Sequence, residues 1–377
     1  MRRPKKKSSI INKMIKLPSA LYVHIPFCEK ICHYCDFPKL QYFRRFAFAY
    51  LESLKEELIH YQPYGLKTIY VGGGTPTALE DDLFKQLLNL LAPFSNGVKE
   101  YTFEANPESL SEEKIKLMHQ YGVNRLSIGV QTTDDRLLKK LNRQHTFNDV
   151  QKAVKLLKDY GFDNLNVDLI LGLPHTSQRL LAKDLDNILS LGIQHISCYA
   201  LSLHPHTVLY NRGYRELSED QMRDYYDTVE AVLTKHHFIH YEVSNYCLSG
   251  YECIHNYTYW RNEQYYGVGL GAAGYLGNIR YKNTLNLNKY LKNLFIDEKE
   301  QLQQHDRLVY QIMLNLRTLE GLSLIKLKAD FGVDLYQDKK ATIDDFINRK
   351  YLVLEDENLK PTYEGMMILD TIILKLI

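Results

Sequence analysis

The run His24-Ile-Pro-Phe-Cys28-Glu-Lys-Ile-Cys32-His-Tyr-Cys35-Asp-Phe37 decides how the rest of the chain is read. Its cysteines are spaced C-x3-C-x2-C and follow directly on an apolar run, residues 21–25, with the character of a β-strand. Pro26 opens the loop that carries them. Three thiolates on one short loop can converge on one metal centre. Three is one ligand short of a closed tetrahedral zinc site, and one short of an Fe4S4 cluster held by protein alone. A centre lacking one ligand keeps a coordination position open, so the loop reads as a reactive site instead of a structural staple.

Outward from this loop, the first two-thirds of the chain alternates short apolar runs with amphipathic stretches. Strands are expected at 21–25, 68–72, 100–104, 125–130, 165–171 and 195–201, with helices between them at 46–60, 79–91, 111–121, 147–160 and 178–191. Ser111-Glu-Glu and Thr146-Phe-Asn-Asp are helix-start signals. Repeated strand–helix units imply parallel strands joined by right-handed crossovers. Six of them predict an α/β fold of partial or complete (β/α) barrel type; periodicity does not separate this from a doubly wound sheet. A long helix at 220–237 precedes a Tyr-, His- and Gly-rich stretch. Helices at 302–319 and 338–349, a hairpin turning at Glu355-Asp-Glu-Asn358 and a last amphipathic helix from Thr362 make a winged-helix-like module. The expected organisation is a basic tail over 1–19, the α/β barrel over 20–245, a linking region over 246–300 and the C-terminal module over 301–377.

In parallel α/β barrels the reactive face lies at the carboxyl ends of the strands. The cysteine loop follows the first strand, on that face. The second strand runs into Gly72-Gly-Gly-Thr-Pro-Thr77, where three glycines allow a ligand close to the backbone. The third ends at Glu104, the fourth at Gln131 with Arg143 shortly after, and the fifth contains Asp168. A carboxylate inside an apolar strand is costly unless paired or hydrogen-bonded. Successive strands ending in a glycine turn or a polar side chain point to one shared pocket with carboxylates, an amide and an arginine.

Composition bounds the rest. A chain that is 45% hydrophobic and 24% charged is an ordinary globular protein. No apolar run is long enough to span a bilayer and no secretory signal is visible, so the expected location is cytoplasmic, where six cysteines serve as metal ligands or free thiols. Residues 1–16 hold seven basic residues and no acid, which reads as a tail. No basic stripe occurs elsewhere, and nucleic acid is not expected as a partner.

The cysteine loop, Gly72-Gly-Gly-Thr-Pro-Thr77 and Gly129-Val-Gln131 together resemble a radical S-adenosylmethionine (SAM) protein. Tyr22-Val-His-Ile-Pro-Phe-Cys28 resembles the oxygen-independent coproporphyrinogen III oxidase family more narrowly, from about residue 21 to the C-terminus. The resemblance implies that Cys28, Cys32 and Cys35 hold three irons of a [4Fe-4S] cluster whose fourth iron takes the amino and carboxylate groups of SAM. It implies too that Tyr22, Gly74, Thr75, Glu104, Gln131, Arg143, Asp168 and Ala200 line the SAM site. Zinc, with His24, His33 or Asp36 as fourth ligand, is the alternative for the loop. The oxidase branch carries a further cysteine where this chain has Phe37, and a longer segment before its cysteine loop. Cys35-Asp-Phe37 and His255-Asn-Tyr-Thr-Tyr-Trp260 are instead similar to the haem-chaperone branch, the HemW type. That branch implies haem as a further cofactor and an apo-haem acceptor protein as partner. His255 is then the candidate iron ligand, with Tyr257, Tyr259 and Trp260 as flat apolar surface for a macrocycle. Alternatively, the segment simply packs, with His255 a satisfied hydrogen-bonder. A transient membrane or respiratory-complex contact and a homodimer are compatible with this reading. Cys198, Cys247 and Cys253 are expected to be ordinary thiols.

Overall fold

A computed structural model describes residues 17–377; the basic tail lies almost wholly outside them. Nine strands form one open sheet: β1 (Ala20–Ile25), β2 (Thr68–Gly73), β3 (Glu100–Ala105), β4 (Arg125–Gln131), β5 (Leu165–Leu171), β6 (His195–Ala200), β7 (Ile239–Glu242), β8 (Asn245–Cys247) and β9 (Tyr266–Val268). Their order is β9-β1-β2-β3-β4-β5-β6-β8-β7. All neighbours from β9 to β6 are parallel, and β8 and β7 add antiparallel at the far edge. The sheet does not close, so the architecture is a partial barrel. Parallel strands need crossovers; they are supplied by α1 (Arg44–Tyr61), α2 (Asp81–Leu91), α3 (Glu112–Gln120), α4 (Phe147–Asp159) and α5 (Gln178–Ser190), with α6 (Glu219–Lys235) following β6.

These helices form where the sequence signals them. The Ser111 hydroxyl accepts from the Lys114 N–H, and Thr146 with Asp149 closes a capping box. Helix α4 buries Val150, Ala153, Val154 and Leu157, one stripe at helical spacing. Helix α2 starts two residues after the expected position, because Pro76–Ala78 forms its own 3-10 turn first. The helices cover one face of the sheet, where Leu21, Val23, Ile69, Val71, Phe103, Ile128, Val167 and Ile196 are buried. Each such side chain contributes about 1.5–3 kcal/mol of burial.

Two short pieces of the stretch expected as a linker, Tyr246–Cys247 and Tyr266–Val268, belong to the sheet. The boundary expected at 245/246 falls inside β8, and β9 pairs with β1. Gly267 in β9 lets the chain at Ala273 pass close over it, since a Cβ there would lie 1.7 Å from the Ala273 carbonyl oxygen. Between them lies a seven-residue helix, α7 (Ile254–Trp260). A second sheet, β10 (Ala273–Leu276), β11 (Ile279–Asn283) and β12 (Ile296–Gln301), leads to the C-terminal module. There α8 (Gln304–Asn315), α9 (Leu324–Phe331), α10 (Lys340–Asn348) and α11 (Leu369–Leu376) pack with a small sheet of β13 (Leu322–Ser323), β14 (Leu352–Glu355) and β15 (Asn358–Pro361), ordered β13-β15-β14. The hairpin turns on Asp356 and Glu357, both at positive φ, as a two-residue hairpin loop requires. Leu316, Ile343, Leu352, Leu359 and Ile372 form this module's own core.

Candidate functional site

The face of the sheet turned away from the helices is polar, built by alternate residues of successive strands. Thr68, Tyr70 and Gly72 follow one another along β2; Glu100, Thr102 and Glu104 along β3; Arg125 and Ser127 along β4; Asn166 and Asp168 along β5; His195 and Ser197 along β6. These side chains bond across strands. Asn166 Nδ2 donates to Ser127 Oγ (2.7 Å) and to Asp168 Oδ1 (2.8 Å), Ser127 Oγ donates to Asp168 Oδ2 (3.2 Å), and Tyr70 OH donates to Glu104 Oε1 (3.0 Å). The carboxylates are thus satisfied in place, as burial demands.

The cysteine loop caps the carboxyl end of this face. Cys28 ends a two-residue strand that pairs with Leu40–Gln41, closing the loop at its base. His33 N–H donates to the Leu141 carbonyl, and Leu209 N–H donates to the His33 carbonyl. The sulfurs have donors beside them: Thr75 Oγ1 reaches Cys28 Sγ at 3.9 Å and Arg143 Nη1 reaches Cys32 Sγ at 3.6 Å. Burial pushes the Cys28 thiol up to about 12 and raises Cys35. A metal centre would hold these groups as thiolates.

This donor set fits an iron–sulfur cluster better than a single zinc ion. Zinc pulls its ligands to within about 2.3 Å of one point, and among the described residues no group of three His, Cys, Asp or Glu side chains is arranged to hold one ion. A cluster spreads three thiolates over three irons. The candidate fourth zinc ligands are also engaged. His24 Nε2–H donates to the Pro38 carbonyl (2.8 Å), so Nδ1 accepts from Tyr22 OH (2.8 Å); burial lowers this imidazole to about 4 and keeps it neutral. His33 Nδ1 bonds the Lys140 carbonyl (2.7 Å), and Asp36 faces His204 (3.0 Å).

The other expected site residues are placed as follows. Glu104, at the end of β3, accepts from the Gly73 N–H (2.9 Å) as well as Tyr70; burial lifts it to about 7. Asp168 is raised by burial, against the hydrogen bonds it accepts. Gln131 ends β4 at φ +72°. Arg143 Nη2 donates to Asn106 Oδ1 (2.8 Å) and to the Gly129 carbonyl, while its Nε is buried without a partner. Thr75 is buried and Gly74 is half-buried under the loop, Tyr22 stands beside His24, and Ala200 is exposed at the end of β6. The glycines of 72–74 lie close against protein: a Cβ would meet the Glu104 carboxyl at Gly72, the His24 ring at Gly73 and the Pro26–Phe27 backbone at Gly74, all within 2.8 Å.

His255 lies at the opposite end of the sheet. Helix α7 is seated on the amino ends of the strands, where Glu100 accepts from the Ile254 and His255 N–H groups (2.8 and 3.0 Å) and so caps the helix. The His255 ring is 0% exposed; Nδ1 bonds Thr68 Oγ1 and Nε2 bonds Tyr259 OH, each at 2.8 Å. Burial lowers the imidazole to about 3. Both nitrogens are spent inside the protein, so the segment packs in this structure and offers no free iron ligand at His255. Trp260, at the far end of α7, lines a cleft of about 1310 Å³ against the C-terminal module. Cys198, Cys247 and Cys253 are buried free thiols. The residue that reading the sequence missed is Asn106, between Thr75 and Arg143; its only signal was an Asn-Pro pair just after a strand.

Two family profiles match the chain: the Radical SAM superfamily over residues 22–188 and the HemN C-terminal domain over residues 302–368. The solved structure of coproporphyrinogen III oxidase (HemN) from Escherichia coli, described as a radical SAM enzyme, superposes with a TM-score of 0.83 at 21% identity. It covers 95% of this chain and 90% of that one, a likeness of fold. Fold and loop together define a radical SAM protein. Three relatives carry the name Heme chaperone HemW: one from Lactococcus lactis subsp. lactis, 39% identical (93% of this chain, 95% of the relative), one from Bacillus subtilis, 35% (92% and 96%), and one from Escherichia coli, 30% (96% and 98%). The chain belongs to this Heme chaperone HemW family. No helix among the described residues is long and apolar enough to cross a membrane.

Proposed function

We propose that this chain is a haem chaperone on a radical SAM scaffold, which binds haem, one [4Fe-4S] cluster and SAM and passes haem to an apo-haem acceptor protein. What carries the reading is identity of 30–39% over more than nine-tenths of the chain to proteins named for that role. Cys28, Cys32 and Cys35 would hold the cluster, which when bound supplies an electron and an open iron for the amino and carboxylate groups of SAM. Glu104 and Asp168 would accept from hydroxyl or amine groups of SAM, and Thr75 and Gln131 would orient it. Arg143 would offer its unpartnered Nε–H, and Tyr22, Gly74 and Ala200 would complete the walls. His255 would ligate haem iron only after giving up Thr68 or Tyr259.

A second reading, oxygen-independent coproporphyrinogen III oxidase, is favoured by the likeness of fold to that enzyme. Phe37, where the oxidase has a cysteine, speaks against it. Anaerobically purified protein with SAM and a reductant is expected to take up haem with a Soret band and to leave coproporphyrinogen III unconverted. Turnover to protoporphyrinogen IX, or rescue of a haem-auxotrophic strain lacking the oxidase, would establish the oxidase instead.

A further inference from the structure

All three loop sulfurs have a hydrogen-bond donor beside them, Cys35 from the Phe37 backbone and Cys32 from Tyr34 as well as Arg143, and one side chain holds two of these donors, Thr75 at Cys28 and Arg143 at Cys32. Asn106 follows β3, just before Pro107. Its Oδ1 accepts from Arg143 Nη2 at 2.8 Å, and its Nδ2 donates to Thr75 Oγ1 at 3.1 Å. Guanidinium has donors only, so the amide oxygen must face Arg143 and the amide nitrogen must face Thr75. This fixes the Thr75 hydroxyl in turn. With its oxygen accepting from Asn106, its own proton is directed to Cys28 Sγ, 3.9 Å away. Arg143, anchored through Nη2 on Asn106 and on the Gly129 carbonyl, points Nη1 at Cys32 Sγ, 3.6 Å away. The chain of bonds runs from Cys32 through Arg143, Asn106 and Thr75 to Cys28.

We infer that Asn106 is a positioning residue that sets the reduction potential of the cluster by aiming Arg143 and Thr75 at the sulfurs of Cys32 and Cys28. The inference rests on the cluster reading of the loop. Hydrogen bonds to cluster sulfurs stabilise the more negative, reduced state and so raise the potential. Arg143 adds a full positive charge in the same sense. The arrangement is polarised one way only: an amide both accepts from Arg143 and donates to Thr75. A carboxylate at 106 would accept from both, drawing the Thr75 proton away from Cys28.

The test is an EPR-monitored redox titration of anaerobically reconstituted full-length protein without SAM, after iron and sulfide have been counted. Asn106→Leu releases both donors and is expected to retain iron and sulfide while its midpoint moves to more negative potential. Thr75→Val removes only the Cys28 donor and should move the midpoint the same way by less. Thr75→Ser, which restores the hydroxyl, should return it towards the parent value. A fully loaded Asn106→Leu protein with the parent's midpoint overturns the inference. If that variant does not load, a Thr75→Val protein with the parent's midpoint overturns it equally. A parent protein that takes up no iron sinks the cluster reading itself, a different result from a loaded cluster whose potential ignores residue 106.

Discussion

The two ends of the nine-stranded sheet carry the two motifs that stand out in the sequence, and they treat them oppositely. At the carboxyl end, the three cysteines lie on a loop whose sulfurs have donors beside them and no protein acceptor that uses them up. At the amino end, His255 is enclosed, with one nitrogen bonded to Thr68 and the other to Tyr259, and the helix that carries it is capped by Glu100. Residue types that could ligate a metal occur at both ends. Only the cysteine end leaves their donor atoms unspent. A motif therefore becomes a ligand set through the atoms its surroundings leave free, and spacing alone does not report that.

The sharpest way to break this contrast is to remove sulfurs from each end. Cys28→Ala, Cys32→Ala and Cys35→Ala are each expected to lose most of the about four irons per chain of an Fe4S4 cluster. Cys253→Ala, beside His255, should keep them all and cost only stability, because its buried sulfur donates to Glu100. Iron and sulfide analysis after anaerobic reconstitution decides the matter; equal loss in both sets would abolish the distinction.

The next effect is expected at His255. His255→Ala deletes a buried ring and leaves the Thr68 and Tyr259 hydroxyls without partners, which should lower unfolding stability by about 2–4 kcal/mol. If the residue packs, the folded fraction should keep its Soret band on haem titration. Loss of the band from a protein that melts like the parent would instead make His255 an iron ligand and place haem at the closed end.

A smaller, graded effect should follow pH at the open end. Burial lifts Glu104 to about 7, so near pH 6 it is mostly a neutral acid and near pH 8 a carboxylate. A carboxylate only accepts, whereas the neutral acid must present a proton to one of its partners. SAM affinity by calorimetry is therefore expected to rise about three- to tenfold from pH 6 to 8, and Glu104→Gln should remove most of that slope. The same shift acts on folding with the opposite sense. Between the unfolded value near 4.5 and the folded value near 7, the native state binds more proton than the unfolded one, so this group's contribution to stability falls as pH rises through that window. A flat affinity profile would detach Glu104 from the ligand.

Much of this fold was legible because its strands are long and its crossovers regular. Residues 165–171 are a strand in both the sequence reading and the structure, and α4 starts where Thr146 and Asp149 signal it. The polar face was legible only in part. Glu104 and Asp168 stand out singly, but the alternation Thr68-x-Tyr70-x-Gly72 and Glu100-x-Thr102-x-Glu104 states the same face strand by strand. Short elements were not legible. Strand β9 is three residues with a central glycine and β13 is two residues, and both exist because a distant strand pairs with them. Helix α7 is seven residues rich in aromatics, too short to stand by itself. Had it been read as a helix, Tyr259 would have appeared one turn from His255, as its hydrogen-bond partner. Thr68, 187 positions away in sequence, could be found only in three dimensions.

The smallest effect is expected from Phe37→Cys, and it tests the open end against the oxidase. Phe37 is 66% exposed, two residues beyond Cys35, so its loss should change stability by no more than about 0.5 kcal/mol. A thiol there restores the cysteine of the oxidase pattern. If that one residue separated the two activities, the variant would begin to decarboxylate coproporphyrinogen III in the presence of SAM and a reductant. The expected outcome is no turnover and unchanged iron. On the cluster reading three thiolates already account for the protein ligands, and one further thiol on an exposed loop builds no enclosure around a tetrapyrrole's propionates. Conversion by the variant alone would narrow the difference between chaperone and oxidase to a single side chain at the mouth of the site.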